Sequence, residues 1–446
     1  MPDTLDNHLP DVRSQYEALP YPPCDPQDDH KRLVLTWLED LPMINHYCFA
    51  GKQSFKNAFR ALVAGGGTGD ATIFLAEQLK HTNAEIVHLD MSQASIAIAQ
   101  ERAQIRGLTN IQWIHDSLLN LPRLAAQGLQ GFDYINCSGV LHHLAEPDAG
   151  LQALRSVLKR DGSIGLMVYA TAGRTGVYQM QALMRLVDQG QQPVNSVSGT
   201  VSDEQRKISS TRDLLASLPA SNWFKRSEDL HHDHKMGDAG IYDLLLHSQD
   251  RAYSVGELFD WLESGNGFHL QFSDVQRGRS PYLPHMVLGS KPPAMAAALR
   301  KRPLRQQYEM AELMSGSIIT HSLYLTPSAS SVAAYGDPAA IPFFYHEPLT
   351  GEIAAKVFGS QRGKPFLLQH QHSGVQLMVN PGKYGAQILR LIDGNRSFGE
   401  IFKQFRADWH GQSAAPGDET LFSDFAESYE TLNALERLLL KLPAST

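Results

Sequence analysis

Cysteine is nearly absent. The three thiols, at 24, 48 and 137, are too few and too scattered for a disulfide framework or a zinc cluster, and they suit a reducing cytosol. No apolar run approaches the roughly 18 residues that a membrane span requires. The first residues lack a basic stretch followed by an apolar one, so no secretory leader is expected. An excess of positive charge is also missing. With 39 Lys and Arg against 47 Asp and Glu, the formal charge is −8, which gives no overall electrostatic attraction to nucleic acid. The expected protein is therefore cytoplasmic and off the membrane, with nucleic acid an unlikely partner. What remains is a globular composition, 42% hydrophobic and 19% charged, on 446 residues, enough for two or three domains.

The organising stretch is Arg60-Ala-Leu-Val-Ala-Gly-Gly-Gly-Thr-Gly-Asp70. Its apolar run at 61–64 reads as a buried strand, glycines at 65, 66, 67 and 69 form a turn, and 71–79 has helical spacing. Strand, glycine turn and helix open a nucleotide-binding βαβ unit, in which free helix N–H groups meet a ligand. The register Gly65-x-Gly67-x-Gly69, followed by Asp70, lacks the third glycine of the dinucleotide fingerprint.

Taken in order, residues 1–30 are polar and proline-rich and suggest an extended arm. Residues 31–49 have helical spacing. A second strand ends at Asp90, 21 positions after Gly69, where a carboxylate can accept from both hydroxyls of a ribose. A third strand, 111–115, ends at Asp116, which can accept from an exocyclic amine. A fourth, 132–136, runs into Asn136-Cys-Ser138. The histidine pair of Val140-Leu-His-His-Leu144 stands just beyond it. A helix over 149–158 leads through a Gly162 cap into a fifth strand at 163–169. Polar residues at successive strand ends fall on the carboxyl edge of a parallel sheet, where such folds bind ligands.

This run, from about 55 to 170, resembles the class I S-adenosylmethionine-dependent methyltransferases. The resemblance implies a Rossmann-like α/β fold with a seven-stranded sheet, S-adenosyl-L-methionine as cofactor and a one-carbon transferase activity. It implies cofactor contacts from Gly65, Gly66, Gly67, Thr68, Gly69, Asp70, Asp90, Met91, Asp116, Ser117, Asn136 and Cys137. One departure is Val63, where the family often has an acid that orders the methionine end of the cofactor. The family's amino methylases on bases carry Asn/Asp-Pro-Pro-Tyr after the fourth strand. Asn136-Cys-Ser-Gly139 lacks those prolines, so that chemistry is disfavoured. Without a preceding proline, Cys137 is expected to pack rather than attack.

Candidate general bases are His142, His143 and Glu146, with a capping or packing role for the histidines as the alternative. Residues 172–250 stand where the family inserts a substrate cap. Tyr178, Asp238, Tyr242, Asp243 and His247 are its candidate acceptor contacts. If 238–247 is helical, Asp238 pairs with Tyr242 and Asp243 with His247 on shared faces. The spacing of His231, His232, His234 and His247 is not a ligand motif, and no metal is expected.

The expected domains are a methyltransferase unit at 1–325 (core 55–170 and 251–325, cap 172–250), a linker at 326–345, and a small C-terminal α+β domain at 346–446. Within the core, 255–264 reads as a helix, 268–274 as the sixth strand, 294–314 as a helix and 320–325 as the seventh strand. The C-terminal part reads as a hairpin (365–371 and 375–380, turning at His372-Ser-Gly374) and three helices, at 381–392, from Ser397, and at 424–440. It resembles the PqqD-like peptide-recognition fold, a relative of winged helices. Nine Lys and Arg against nine Asp and Glu over 361–446 leave it no basic face for DNA. The expected acceptor is a small molecule or a peptide or protein side chain. The alternatives are an RNA methyltransferase and a non-catalytic cofactor-binding scaffold.

Overall fold

The computed structural model describes residues 10–190, 203–273, 282–289, 293–345, 349–361, 363–369, 376–411 and 414–443. The expected turn at His372-Ser-Gly374 and the first nine residues of the arm lie outside them. The chain divides into two compact units. The first holds residues 1–39, 55–258 and 316–323; the second holds 40–54, 259–315 and 324–446.

The first unit is built on parallel strands β1 (Arg60–Ala64), β2 (Glu85–Asp90), β3 (Ile111–His115), β4 (Phe132–Ser138) and β5 (Leu158–Ala170). Their order is β3-β2-β1-β4-β5, and β1 lies between β2 and β4 in parallel register, Val63 opposite both His88 and Asn136. Strands buried on both faces read as continuous apolar runs. Leu62, Ile86, Ile135, Ile164 and Leu166 are accordingly inaccessible to solvent. A two-residue strand, β6 (Ala252–Tyr253), runs parallel to the end of β5 and carried no sequence signal of its own. The sheet path continues from β5 to β8 (Thr320–Thr326) and then β7 (His269–Ser273), so seven strands form the path and β6 is an eighth beside it. Among the described residues no helix is long and apolar enough to cross a membrane.

Several local expectations need correction. The arm is helical at Pro10–Ala18 and has a short 3-10 turn at Pro26–His30, capped by the Asp25 carboxylate. The helix expected over 31–49 exists only as Leu41–Cys48, which Pro42 in its first turn can start but not continue backwards. Before β5 there is no glycine cap. The helix Pro147–Val157 ends directly in the strand, and the register slips between Phe132 opposite Leu158 and Tyr134 opposite Ser163. Residues 255–264 are one α-turn, Val255–Leu258, followed by a π-turn, Phe259–Ser264.

The cap is helical at Thr175–Gly190, Asp203–Ser217 and Trp223–Ser227, and packs a small core of Val177, Met180, Leu215, Phe224, Leu244 and Leu245. Residues 237–246 change from α (Gly237–Ile241) to π (Tyr242–Leu246), a wide turn that recurs at functional sites.

In the second unit, the helix expected at 294–314 breaks into Ala296–Leu299 and Leu304–Ser315, as Pro303 requires. The stretch 326–345 is not a plain linker. It contains β9 (Ile341–Phe344), laddered antiparallel to β12 (Leu438–Lys441). The hairpin is present as β10 (Phe366–Gln369) and β11 (Gln376–Val379). Four helices surround a phenylalanine-rich core: Gly351–Ser360, Gly385–Leu391, Phe398–Ala407 and Asp418–Ala434. The first went unread in the sequence. The third starts at Ser397 through a capping box with Glu400. The last ends before 438, because the short apolar run Leu438-Leu-Leu440 is strand rather than helix.

Candidate functional site

The glycine turn is shaped by its backbone. Gly65, Gly67 and Gly69 have φ of +74°, +50° and +100°, where a side chain is strained. A β-carbon on Gly66 would stand 2.3 Å from the buried His88 ring. Gly67 N–H donates to Asp90 Oδ2 at 2.7 Å, and Ser92 N–H donates to Asp90 Oδ1 at 2.8 Å. The carboxylate at the end of β2 is thus fixed beside the turn with acceptor capacity left on both oxygens. Burial pushes its pKa up, and the Ser92 and Gly67 N–H groups pull it back down. The helix Asp70–Gln78 starts at Gly69 and aims its first N–H groups at the same edge.

The other expected cofactor residues divide. Thr68 is buried and donates to the Pro22 carbonyl at 2.9 Å. Asp70 pairs with Arg102 at 2.7 Å. Met91 offers its carbonyl to the His115 ring at 3.1 Å. Asp116 spends its carboxylate on its own loop, accepting from Ser117 N–H, Asn120 and Arg123. The Ser117 hydroxyl caps Leu119 N–H. The Asn136 amide donates to the buried Glu39 carboxylate, a partner with no signal in the sequence. Cys137 is fully buried, and burial lifts its thiol to about 12, so the side chain packs and does not react.

The candidate catalytic residues separate more sharply. Glu146 is exposed, in the gap between the 3-10 turn Leu141–His143 and the helix Pro147–Val157, and is corrected to a surface residue. His142 is sealed, with neither ring nitrogen hydrogen-bonded, its ring 3.9 Å from that of Tyr169; burial holds it neutral. His143 is different. Its Nδ1 lies 2.8 Å from the Gln249 carbonyl, so Nδ1 carries the hydrogen and Nε2 carries the lone pair. Nε2 makes no hydrogen bond among the described residues.

The cap brings Asp243 and His247 to His143. The two imidazoles stack with centroids 3.9 Å apart and planes at 22°. Gln249 N–H donates to His247 Nδ1 at 3.1 Å, which leaves the hydrogen on His247 Nε2. Tyr16 from the N-terminal helix donates to Asp243 Oδ1 at 3.0 Å, with its oxygen 3.4 Å from His247 Nε2. Tyr169 donates to Asp243 Oδ2 at 3.3 Å. Asp243 is pushed up by burial and drawn down by His143.

Of the other cap candidates, Tyr178 donates to Asp250 at 3.0 Å within a buried network that includes Arg174, whose guanidinium lies 3.5 Å from the Tyr169 ring centroid. Tyr242 is half-buried and, with His247, lines a cleft between the cap helices. Asp238 is corrected: it pairs with Arg212 on the surface at 2.7 Å. Tyr16, Tyr169, Arg174 and Gln249 are the contributors that sequence reasoning missed.

His143, Asp243 and His247 place donor atoms within 4.8 Å of one another. The hydrogen bond from Gln249 leaves a hydrogen on His247 Nε2, and the two rings lie with their planes at 22°. His231 stacks on Phe224 and His234 pairs with Glu228, so neither turns toward His247.

Burial depresses His88 to about 3, His231 to about 4 and His247 to about 2. Each stays neutral in the fold below pH 6.5, while the unfolded chain takes up the proton. Stability is therefore present above pH 6.5 and is lost as pH falls from 6.5 toward these values, by up to about 1.4 kcal/mol per pH unit per group. The urea midpoint should drop between pH 7 and pH 5, and His88→Gln should make that drop shallower. An equally steep drop in the variant would remove His88 from the account.

The residues present fit the cofactor that this edge implies: a cradle that side chains would fill, a fixed acid at the second strand end, and a polar cluster near the ends of β4 and β5. A family model described as a methyltransferase domain matches residues 62–164. The structure of PKMT2 from Rickettsia typhi in complex with AdoHcy shares the fold at a TM-score of 0.57 and 13% identity, covering 92% of this chain and 77% of that one. The tRNA 5-carboxymethoxyuridine methyltransferase of Escherichia coli (strain K12) is 33% identical over 115 residues, 26% of this chain and 41% of that protein. This chain is an S-adenosylmethionine-dependent methyltransferase. More narrowly, it belongs to the family of the uncharacterized protein syc1184_c of Synechococcus sp., to which it is 31% identical over 327 residues, 73% of this chain and 72% of that protein.

Proposed function

We propose that this enzyme methylates a protonated oxygen or nitrogen nucleophile on a small molecule or a peptide or protein side chain, with His143 as general base. The observation that carries the reading is the His143 ring, oriented through Nδ1–H by the Gln249 carbonyl with Nε2 open. Gly65, Gly66, Gly67, Gly69 and Asp90 hold the cofactor, Asp90 through the ribose hydroxyls. S-adenosylmethionine supplies an electrophilic methyl on a sulfonium. His143 Nε2 would take the proton of the acceptor's heteroatom, and the cofactor would supply the methyl group to that atom and depart as S-adenosylhomocysteine. Asp243, whose carboxylate faces His143, stabilises the imidazolium that forms. The cap excludes water from this exchange.

An acceptor other than nucleic acid is favoured by the net negative charge. We read the C-terminal part, residues 346–446, as the part that recognises a partner, on its resemblance to the PqqD-like fold. Methyl transfer from radiolabelled cofactor into a cell lysate, fractionated by size and by nuclease and protease sensitivity, tests the acceptor class. Label in nuclease-sensitive material would replace this reading with the RNA one, and no label at all would favour a scaffold.

Asp90→Ala should weaken S-adenosylhomocysteine binding by about 1.5–3 kcal/mol, the scale of a hydrogen bond to a charged group. Unchanged affinity in calorimetry would remove Asp90 from the cofactor site.

A further inference from the structure

One segment, residues 10–30, touches both halves of the site. At the cofactor turn, the Tyr21 carbonyl oxygen would lie 2.7 Å from a β-carbon on Gly67, and the Pro22 carbonyl accepts from Thr68. Ser92, whose N–H holds Asp90, donates its hydroxyl to the Tyr16 carbonyl at 3.1 Å. At the acceptor cluster the same Tyr16 donates its hydroxyl to Asp243. Two hydrogen bonds through Ser92 thus tie Asp90 to the Tyr16 backbone, and the covalent frame of Tyr16 carries that tie to its hydroxyl.

The direction of each hydrogen is fixed. Gln249 uses its N–H on His247 and its C=O on His143, and so imposes opposite tautomers on two stacked rings. His247 then has only Nε2–H to offer, and the Tyr16 oxygen is the acceptor in front of it. Tyr16 passes its own hydrogen to Asp243, which also receives one from Tyr169. Every donor in this set is committed, and the one uncommitted ring nitrogen of the stacked pair is His143 Nε2. Without the Tyr16 hydroxyl, both His247 Nε2–H and Asp243 Oδ1 lose a partner in a buried place. Either is then free to bring its released atom onto His143 Nε2.

We propose that Tyr16 is a positioning residue for methyl transfer: it locks His247 and Asp243 so that His143 Nε2 alone faces the acceptor, and it ties that arrangement to an occupied cofactor turn. The inference rests on the reading of His143 as the base. The coupling needs no long path, because Ser92 and Tyr16 are adjacent links between the two sites, and linkage makes it reciprocal.

The test uses the full chain labelled with ¹⁵N-histidine, with long-range ¹H–¹⁵N spectra recorded with and without saturating S-adenosylhomocysteine. Calorimetry confirms binding in each sample, and His143→Gln and His247→Gln assign the signals. The wild type should show hydrogen on Nδ1 of His143 and on Nε2 of His247, and both signals should shift when S-adenosylhomocysteine binds. Tyr16→Phe keeps the ring beside His247 and removes only the hydroxyl. It should bind S-adenosylhomocysteine within threefold of wild type and lose at least half of that shift. Ser92→Ala, which cuts the link on the cofactor side, should keep the wild-type tautomers without ligand and lose the response to it. Wild-type histidine signals that ignore bound S-adenosylhomocysteine, or a Tyr16→Phe protein that matches wild type in both states, would overturn the proposal. Failure of the base assignment is distinguishable, because His143→Gln would then retain methyl transfer whatever Tyr16→Phe does.

Discussion

His143→Gln should lower methyl transfer by about 10²- to 10⁴-fold, the contribution typical of a positioned general base, and leave S-adenosylhomocysteine affinity within about 1 kcal/mol. Glutamine keeps a donor for the Gln249 carbonyl but has no lone pair of comparable basicity where Nε2 stands. The residue lies outside the glycine–Asp90 set, so cofactor binding should not follow turnover down. The comparison that gives this result its meaning is Glu146→Gln, which should be silent because that side chain is on the surface. Radiolabel incorporation into the acceptor fraction, measured in single turnover, checks both. If His143→Gln transfers methyl at the wild-type rate, the cluster has no base function and the acceptor must already be deprotonated.

Arg102→Met should destabilise the protein by about 3–5 kcal/mol, the cost of removing one partner from a buried ion pair. Arg102 is 1% exposed and makes three contacts at once: Asp29 at 2.6 Å, Asp70 at 2.7 Å and the Thr68 carbonyl at 2.8 Å. The value should fall toward the lower end, because Asp29 retains Arg106 as a partner. The same change should weaken S-adenosylhomocysteine binding, since Arg102 ties the N-terminal segment to both residues that flank Gly69. Urea unfolding with calorimetry separates the two effects. A midpoint shift worth less than about 1 kcal/mol would mean that the triad is solvated rather than buried.

The glycine turn and the acid at the end of β2 were readable because their signals are local. A short apolar run, glycines where φ is positive and a carboxylate at a fixed distance along the chain all follow from the backbone of one βαβ unit. The acceptor cluster was only half readable. Asp243, His247 and His143 stood out as residue types, and the fold does bring them together. Tyr16 could not be found, because it meets Asp243 across 227 positions and no periodicity marks such a pair. Gln249 acts through its peptide group, which is invisible in a side-chain pattern. Asp238 was misread because its partner, Arg212, lies 26 positions away on another helix, where no local pattern marks it. Glu146 was misread because a break of three residues separates the histidine turn from the helix after it. In the second unit, Leu438-Leu-Leu440 is too short for periodicity to separate strand from helix, and only pairing with β9 decides it.

A crystal structure with S-adenosylhomocysteine would show whether the cofactor turn and the base meet at one reacting centre. The ribose hydroxyls should meet the Asp90 carboxylate, and the sulfur should face His143 Nε2 with space for a single acceptor atom and its methyl between them, the reacting atoms about 3–3.5 Å apart in a productive complex. A sulfur directed away from His143, or a ligand bound clear of Gly67 and Asp90, would contradict the account.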